Sequence, residues 1–183
     1  DTCASIGSKY FGRKLGTFGD MSSFSFYFGH QMSTIEGGMV STDKKDFYEL
    51  LIKLRSHGWD KEFREKDAPF NFCEAGFNVR STDLNAFLGI RQLDKMDSSS
   101  RKRHENHMLY MKLFENAFMV QLRGTYMDTR IEQRIEKNYL ISSIHFAIIT
   151  NLVYERPAIV KALRNNHIET RFFTAANLGR HPF

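Results

Sequence analysis

His30 lies between Ser25 and the triplet Glu36-Gly37-Gly38, in the run Ser22-Ser23-Phe24-Ser25-Phe26-Tyr27-Phe28-Gly29-His30-Gln31. An imidazole takes up and gives back protons near neutral pH, so this position could serve as acid, base or both. The nearest lysines, Lys14 and Lys44, fall outside the segment. Asp1 offers a carboxylate, Ser25 a hydroxyl and Asn78 an amide. Arg55 adds a cation and His57 an imidazole in Arg55-Ser56-His57-Gly58-Trp59, and Arg171 adds a cation in Ile168-Glu169-Thr170-Arg171. Taken singly, each has an ordinary structural reading. Asp1 could cap a turn or helix, Ser25 could face a neighbouring backbone, and Asn78 could sit in a turn after Gly76. Arg55 and His57 could serve the dipole of a helix end, and Arg171 could be a surface strand charge. One histidine of seven is more often packed than catalytic.

These residues need a frame of short strands and helices. Residues 1–43 alternate apolar runs with Gly, Ser and Thr, as strands and turns do. Phe24-Ser25-Phe26-Tyr27-Phe28 predicts a buried strand ending at Gly29. Gly37-Gly38-Met39-Val40-Ser41-Thr42 predicts a turn and a second strand. Asp43 is placed to cap a helix with Phe47, Leu50, Leu51 and Leu54 on one face, ending near Gly58. Residues 59–75 show no period and predict a mobile loop. A second helix starts near Ser81-Thr82-Asp83 and carries Leu84, Phe87, Leu88, Leu93 and Met96. Ser98-Ser99-Ser100 breaks the pattern and marks the expected domain boundary. A third helix over 101–118 turns Leu109, Leu113 and Phe114 inward. Residues 120–138 have no clear pattern, 141–149 predict an apolar strand, and 157–166 predict a helix with Pro157 near its first turn. Strands alternating with helices predict an α/β protein.

Composition narrows the classes. The chain is 42% apolar and 26% charged, ordinary for a soluble globular protein. No apolar run is long enough for a membrane span, and no signal peptide is visible at the start. Cys3 and Cys73 are too few for a disulfide framework, which favours a reduced, cytoplasmic setting. A net charge of +5 raises nucleic acid as a partner. The 26 basic residues are spread among 21 acidic ones, and the densest group, Arg101-Lys102-Arg103-His104, reads as a solvated helix face. Neither nucleic acid nor a membrane is expected as a partner.

The order of motifs resembles the pyridoxal-phosphate-dependent nucleotide-sugar aminotransferase and dehydratase family. Matching elements are Asp1, Gly7, Gly12, Gly16, Gly19, Ser25-Phe26 and Glu36-Gly37-Gly38. They continue through Gly76-Phe77-Asn78-Val79-Arg80 and Ala86-Phe87-Leu88-Gly89-Ile90-Arg91-Gln92-Leu93. Each is weak alone, whereas the series in one order is specific. His30 stands where that family carries the lysine that attaches the cofactor.

The resemblance implies a partial aspartate aminotransferase fold (type I). Residues 1–97 would be the C-terminal part of the large cofactor-binding domain and 98–183 an incomplete small α+β domain. The chain reads as a piece of a longer enzyme. The cofactor would be pyridoxal 5'-phosphate or pyridoxamine 5'-phosphate. Asp1 would pair with its ring nitrogen and Ser25 with its phosphate. Asn78 would reach that phosphate from the other subunit of a homodimer with a shared active site. Arg55, His57 and Arg171 would meet the nucleotide-sugar substrate. The role of Arg180-His181-Pro182-Phe183 stays unassigned.

With histidine at position 30, the segment resembles the GDP-4-keto-6-deoxymannose 3-dehydratase branch. That branch uses glutamate to renew the amino form of the cofactor. One histidine would take a proton and then protonate the hydroxide leaving sugar C3. Related dehydratases hold an iron-sulfur cluster on several cysteines, and Cys73 alone does not supply that set, so no metal is expected. Two other readings remain open: an aminotransferase with another group in the lysine's place, and a non-catalytic sugar-binding relative.

Overall fold

A computed structural model describes residues 1–64, 69–114, 120–121, 138–150 and 155–171. The elements in chain order are β1 (Lys9–Tyr10), β2 (Arg13–Lys14), β3 (Ser22–Ser25), β4 (Gly38–Ser41) and α1 (Lys45–Arg55), then α2 (Asp83–Phe114), β5 (Val120–Gln121), β6 (Ile149–Thr150) and α3 (Glu155–Asn165). A single 3-10 turn, Lys61–Phe63, follows α1. The strands pair as three antiparallel two-stranded ladders, β1 with β2, β3 with β4 and β5 with β6. The chain groups into two compact units, Asp1–Leu113 with Tyr126–Phe146, and Phe114–Thr125 with Ala147–Phe183.

In the first unit, β1 and β2 form a hairpin across Phe11 and Gly12, both at positive φ. That conformation matches the strands' own twist. Lys9 also bridges Leu140, and the Gly12 amide donates to the Asn138 carbonyl at 2.8 Å. The expected strand over 141–149 is therefore a single bridge at Leu140 followed by irregular backbone, with regular pairing only at Ile149–Thr150.

The expected strand Phe24–Phe28 is shifted towards the N-terminus. Ser22 to Ser25 pair with Ser41 to Gly38, and one more bond follows, from the Phe26 amide to the Gly37 carbonyl at 2.8 Å. Phe28 is 70% exposed, so this aromatic run is not a buried strand. The shift follows from the serines: Ser22 Oγ lies 2.8 Å from Ser41 Oγ and donates to the Gly16 carbonyl at 2.8 Å.

Helix α1 begins one residue later than expected. Lys44 is its cap residue and makes no side-chain capping bond, so Asp43 does not cap it. The helix closes at Arg55, where the Gly58 amide returns to the Lys53 carbonyl at 2.8 Å. Beyond it, the described parts of 59–75 are tied down rather than loose. Trp59 bridges Phe72 and stacks on Phe70, with ring centroids 4.8 Å apart. The buried Asp60 accepts from Asn71 Nδ2 at 2.9 Å and pairs with Arg64 at 3.1 Å. Sequence period could not reveal a loop held by cross-chain pairs.

Helix α2 overturns the expected break at Ser98-Ser99-Ser100. Its 32 residues run unbroken from Asp83 to Phe114. Ser98 Oγ donates to the Lys95 carbonyl at 2.9 Å, so a serine read as a helix breaker is accommodated within the helix. Ser100 is buried and meets Ser142 Oγ at 3.2 Å. Leu109 and Leu113, expected to face inward, are exposed. Among the described residues no apolar side chain is buried, and the buried ones are Thr2, Ser8, Ser22, Thr34, Asp60, Ser100 and Ser142. No described helix is long and apolar enough to cross a membrane.

The start of α2 carries a stability prediction. Thr82 Oγ1 accepts the Asn85 amide at 3.3 Å, a side-chain cap at the N-terminus. Thr82→Ala is expected to cost roughly 1 kcal/mol in urea denaturation. A loss below about a quarter of that would show the cap to be idle.

Farther along the same helix, His104 Nδ1 accepts the Ile141 amide at 3.2 Å, and the His107 ring meets Phe146 with centroids 5.1 Å apart. Burial holds both imidazoles below their ordinary pKa, and His104 depresses His107 further, while Glu105 pulls His104 the other way. The folded pKa values are below the unfolded value of 6.5, so the unfolded chain binds more protons between the two. Stability is then fully present above 6.5 and falls as the pH drops through the window beneath it. A urea midpoint that declines below pH 6.5 in the wild type, and declines less in His107→Leu, is the expected result. Equal slopes in both proteins would remove His107 from that account.

In the second unit, α3 contains Pro157 in its first turn, as expected, since proline costs no hydrogen bond there. Arg164 Nε then donates to Thr170 Oγ1 at 3.0 Å, fixing the turn before Arg171.

Candidate active site

The first group of sequence-selected residues collects around β3. The Thr2 amide donates to the Ser23 carbonyl at 2.9 Å, which lays the segment carrying Asp1 against the strand that ends in Ser25. Asp1 is exposed, and its Oδ1 accepts the Cys3 amide at 2.9 Å, which orients the carboxylate. Ser25 is half-buried and accepts the Tyr27 amide at 3.3 Å. His30 follows in a turn closed by its own amide on the Tyr27 carbonyl at 3.0 Å. Its ring sits edge-on to Tyr27, centroids 6.3 Å apart. The His30 Nδ1 is buried and has no hydrogen-bond partner. A buried polar atom left unpaired costs free energy unless a ligand or water meets it.

The turn is held from behind by α2. Asn85 Nδ2 donates to the carbonyls of Thr34 at 2.6 Å and Glu36 at 3.0 Å. Gln92 Oε1 accepts the Ser33 amide at 2.9 Å, and its Nε2 donates to the Ser33 carbonyl. Between them Gly89 is buried, and a Cβ there would stand 3.1 Å from the Thr34 methyl. Asn85, Gly89 and Gln92 fall on one helix face by their spacing. Of the apolar residues expected on this helix, Leu84, Phe87 and Leu93 are exposed, while Leu88 and Met96 are half-buried. The signal available was polar: two amides and a glycine at the spacing of one helical face.

A second group gathers at the end of α1. Asn78 bridges Ser56, and the His57 amide donates to the Phe77 carbonyl at 2.7 Å. His57 is exposed and holds φ +66, uncommon for a residue with a Cβ. Arg55 is exposed and pairs with Glu62 at 3.1 Å, and Arg80 reaches Asn78 Oδ1 at 3.5 Å. Arg55, His57 and Asn78 thus form one exposed polar cluster. No hydrogen bond or ion pair links it to Asp1, Ser25 or His30 among the described residues. Arg171 belongs to the second unit and is exposed there, and positions 180–183 lie outside the described residues. Cys3 and Cys73 are free thiols, and no three metal-ligating side chains gather among the described residues.

Backbone architecture places the molecule first in a class. It superposes on the Escherichia coli GDP-4-keto-6-deoxy-D-mannose 3-dehydratase, solved with bound hydrated PLP, with a TM-score of 0.80 at 24% identity. The match covers 99% of this chain and 47% of that one, so the fold is a partial fold type I of the sugar aminotransferase kind. The chain belongs to the DegT/DnrJ/EryC1/StrS aminotransferase family, which it matches over residues 1–183. It is 34% identical over 128 residues to the GDP-4-keto-6-deoxy-D-mannose 3-dehydratase of Yersinia pseudotuberculosis, covering 63% of this chain and 33% of that protein. It is 36% identical over 121 residues to the UDP-4-amino-4,6-dideoxy-N-acetyl-beta-L-altrosamine transaminase of Campylobacter jejuni, covering 63% of this chain and 30% of that one. The chain therefore spans between about a third and a half of the length of these relatives.

Proposed function

We propose that this chain is part of a pyridoxal- or pyridoxamine-phosphate-dependent enzyme that removes the 3-hydroxyl of a nucleotide-linked 4-keto-6-deoxyhexose, with His30 as the acid-base group. The observation that carries the reading is the buried, unpartnered Nδ1 of His30, in the turn that follows Ser25 and beside the segment of Asp1. The relatives include both dehydratases and transaminases, and the histidine at position 30 favours the dehydratase.

The residues present fit the cofactor. Asp1 has one oxygen committed to the Cys3 amide, and its exposed carboxylate would pair with a protonated ring nitrogen. Ser25 would offer a hydroxyl to the phosphate, and His30 Nδ1 is left without a hydrogen-bond partner. When bound, the cofactor supplies an electron sink for charge developing at carbon. His30 takes a proton on its imidazole and returns it to the hydroxide leaving the sugar. Tyr27 lies edge-on to that ring, and the Asn85 and Gln92 amides fix the backbone that follows it.

Asn78 reaches the cofactor phosphate of a second copy of the protein in a homodimer, and Arg55 and His57 meet the nucleotide-sugar substrate. That assignment accounts for an exposed polar cluster with no hydrogen bond or ion pair to Asp1, Ser25 or His30 among the described residues. Arg171 meets the substrate from the small domain, residues 98–183, while 1–97 belong to the cofactor-binding domain, with α2 running through both. Glutamate supplies the amino group, and the enzyme works in the cytoplasm. The test is the mass of the product formed from GDP- or dTDP-linked 4-keto sugars with glutamate. Loss of water supports the dehydratase, gain of an amine supports the aminotransferase reading, and no change with any sugar supports a non-catalytic relative.

A further inference from the structure

Gln31 follows His30 directly, and both hydrogens of its side-chain amide are committed. Nε2 donates to the Ala4 carbonyl at 2.8 Å and to the Ser142 carbonyl at 2.5 Å. Ala4 lies three residues past Asp1 and accepts a second bond, from the Ile144 amide, at 3.4 Å. Ser142 is fully buried, takes Ser8 Oγ on its amide at 2.8 Å and meets Ser100 of α2 at 3.2 Å. Gly7 closes over this serine cluster, since a Cβ there would stand 2.2 Å from Ser100 Oγ. One amide therefore joins the turn carrying His30, the segment carrying Asp1 and the anchored backbone at Ser142.

We propose that Gln31 is a positioning residue that sets the His30 imidazole against the Asp1 carboxylate by this two-point bond. The inference rests on the acid-base role of His30 proposed above. Its physical basis is geometric: two carbonyls must be met by two N–H groups on one side chain of this length. Leucine offers no donor. Glutamate of the same size offers two acceptors, which the carbonyls repel. Neither replacement restores the bond, whereas either can fill the volume. The Gln31 Oε1 is itself buried without a partner, so the side chain is retained for its donors at the expense of its acceptor.

The test compares Gln31→Leu and Gln31→Glu in the full-length protein. Misplacing a reacting group by about an ångström costs on the order of a hundredfold in rate. Turnover is therefore expected to fall roughly 10- to 100-fold in both variants. KM for the sugar should stay within about threefold, because ground-state binding is retained. A cofactor-free readout accompanies it. Hydrogen exchange over residues 29–33 is expected to accelerate about tenfold, with the β3–β4 ladder unchanged, because the opening is local.

Wild-type turnover together with wild-type exchange in Gln31→Leu overturns the proposal. Exchange that rises equally in β3–β4 also overturns it, since Gln31 would then support the fold as a whole. If the wild-type protein changes no sugar at all, the proposed reaction fails. The exchange comparison still decides whether Gln31 holds the His30 turn.

Discussion

His30→Asn is expected to lower turnover by roughly 10²- to 10⁴-fold, the usual worth of a positioned acid-base group. Asparagine nearly preserves the size and can still form hydrogen bonds, but it does not take up and release protons near neutral pH. Cofactor affinity should stay within a few-fold of wild type, because Asp1 and Ser25 are untouched. The measurement is the mass of the sugar product under single-turnover conditions, with cofactor binding followed by its absorbance. Unchanged turnover would end the acid-base role of His30 whichever sugar is used. The converse variant, His30→Lys, restores an amine at the position where the family attaches its cofactor. It should make the protein yellow, since a neutral amine can bond covalently to the cofactor. A colourless His30→Lys protein that still binds the cofactor would mean that the side chain does not point at it.

Some of this molecule could be read from the chain before any coordinates. Short motifs that act through the backbone were legible: Ser25 within a strand, Gly37-Gly38 opening β4, and Pro157 in the first turn of α3. What failed were inferences from polarity. Ser98-Ser99-Ser100 looks like a break because serine competes for backbone hydrogen bonds. In α2 Ser98 satisfies a carbonyl of its own helix, and Ser100 packs under Gly7 because it is small. Of the apolar residues expected on that helix, Leu88 and Met96 are half-buried but Leu84, Phe87 and Leu93 are exposed, while Asn85 and Gln92 grip the turn after His30. An amide that satisfies a distant carbonyl leaves no periodic mark. Gln31 is of the same kind, and its only sequence signal was its place beside His30.

Gly58→Ala is the second large effect expected, and it probes the polar cluster at the end of α1. Gly58 holds φ +81, where a Cβ costs about 1–2 kcal/mol. A Cβ there would also stand 1.7 Å from the Glu74 carbonyl oxygen, so the backbone itself must move. Overpacking of this kind adds about 1–3 kcal/mol, giving a loss of roughly 2–5 kcal/mol in all. Gly76 is the other face of the same contact, with a built Cβ 2.2 Å from the Gly58 nitrogen. Two glycines from separate motifs thus let two backbones touch, which carries Asn78 to Ser56 beside Arg55 and His57. Because one separation of the two backbones relieves both clashes, Gly58→Ala and Gly76→Ala should be less than additive, with a coupling of at least about 1 kcal/mol. Urea denaturation of the two single variants and the double variant measures it. Additive losses would mean that each alanine strains its own surroundings, and a Gly58→Ala loss under about 0.5 kcal/mol would mean the close approach is not a constraint of the folded chain.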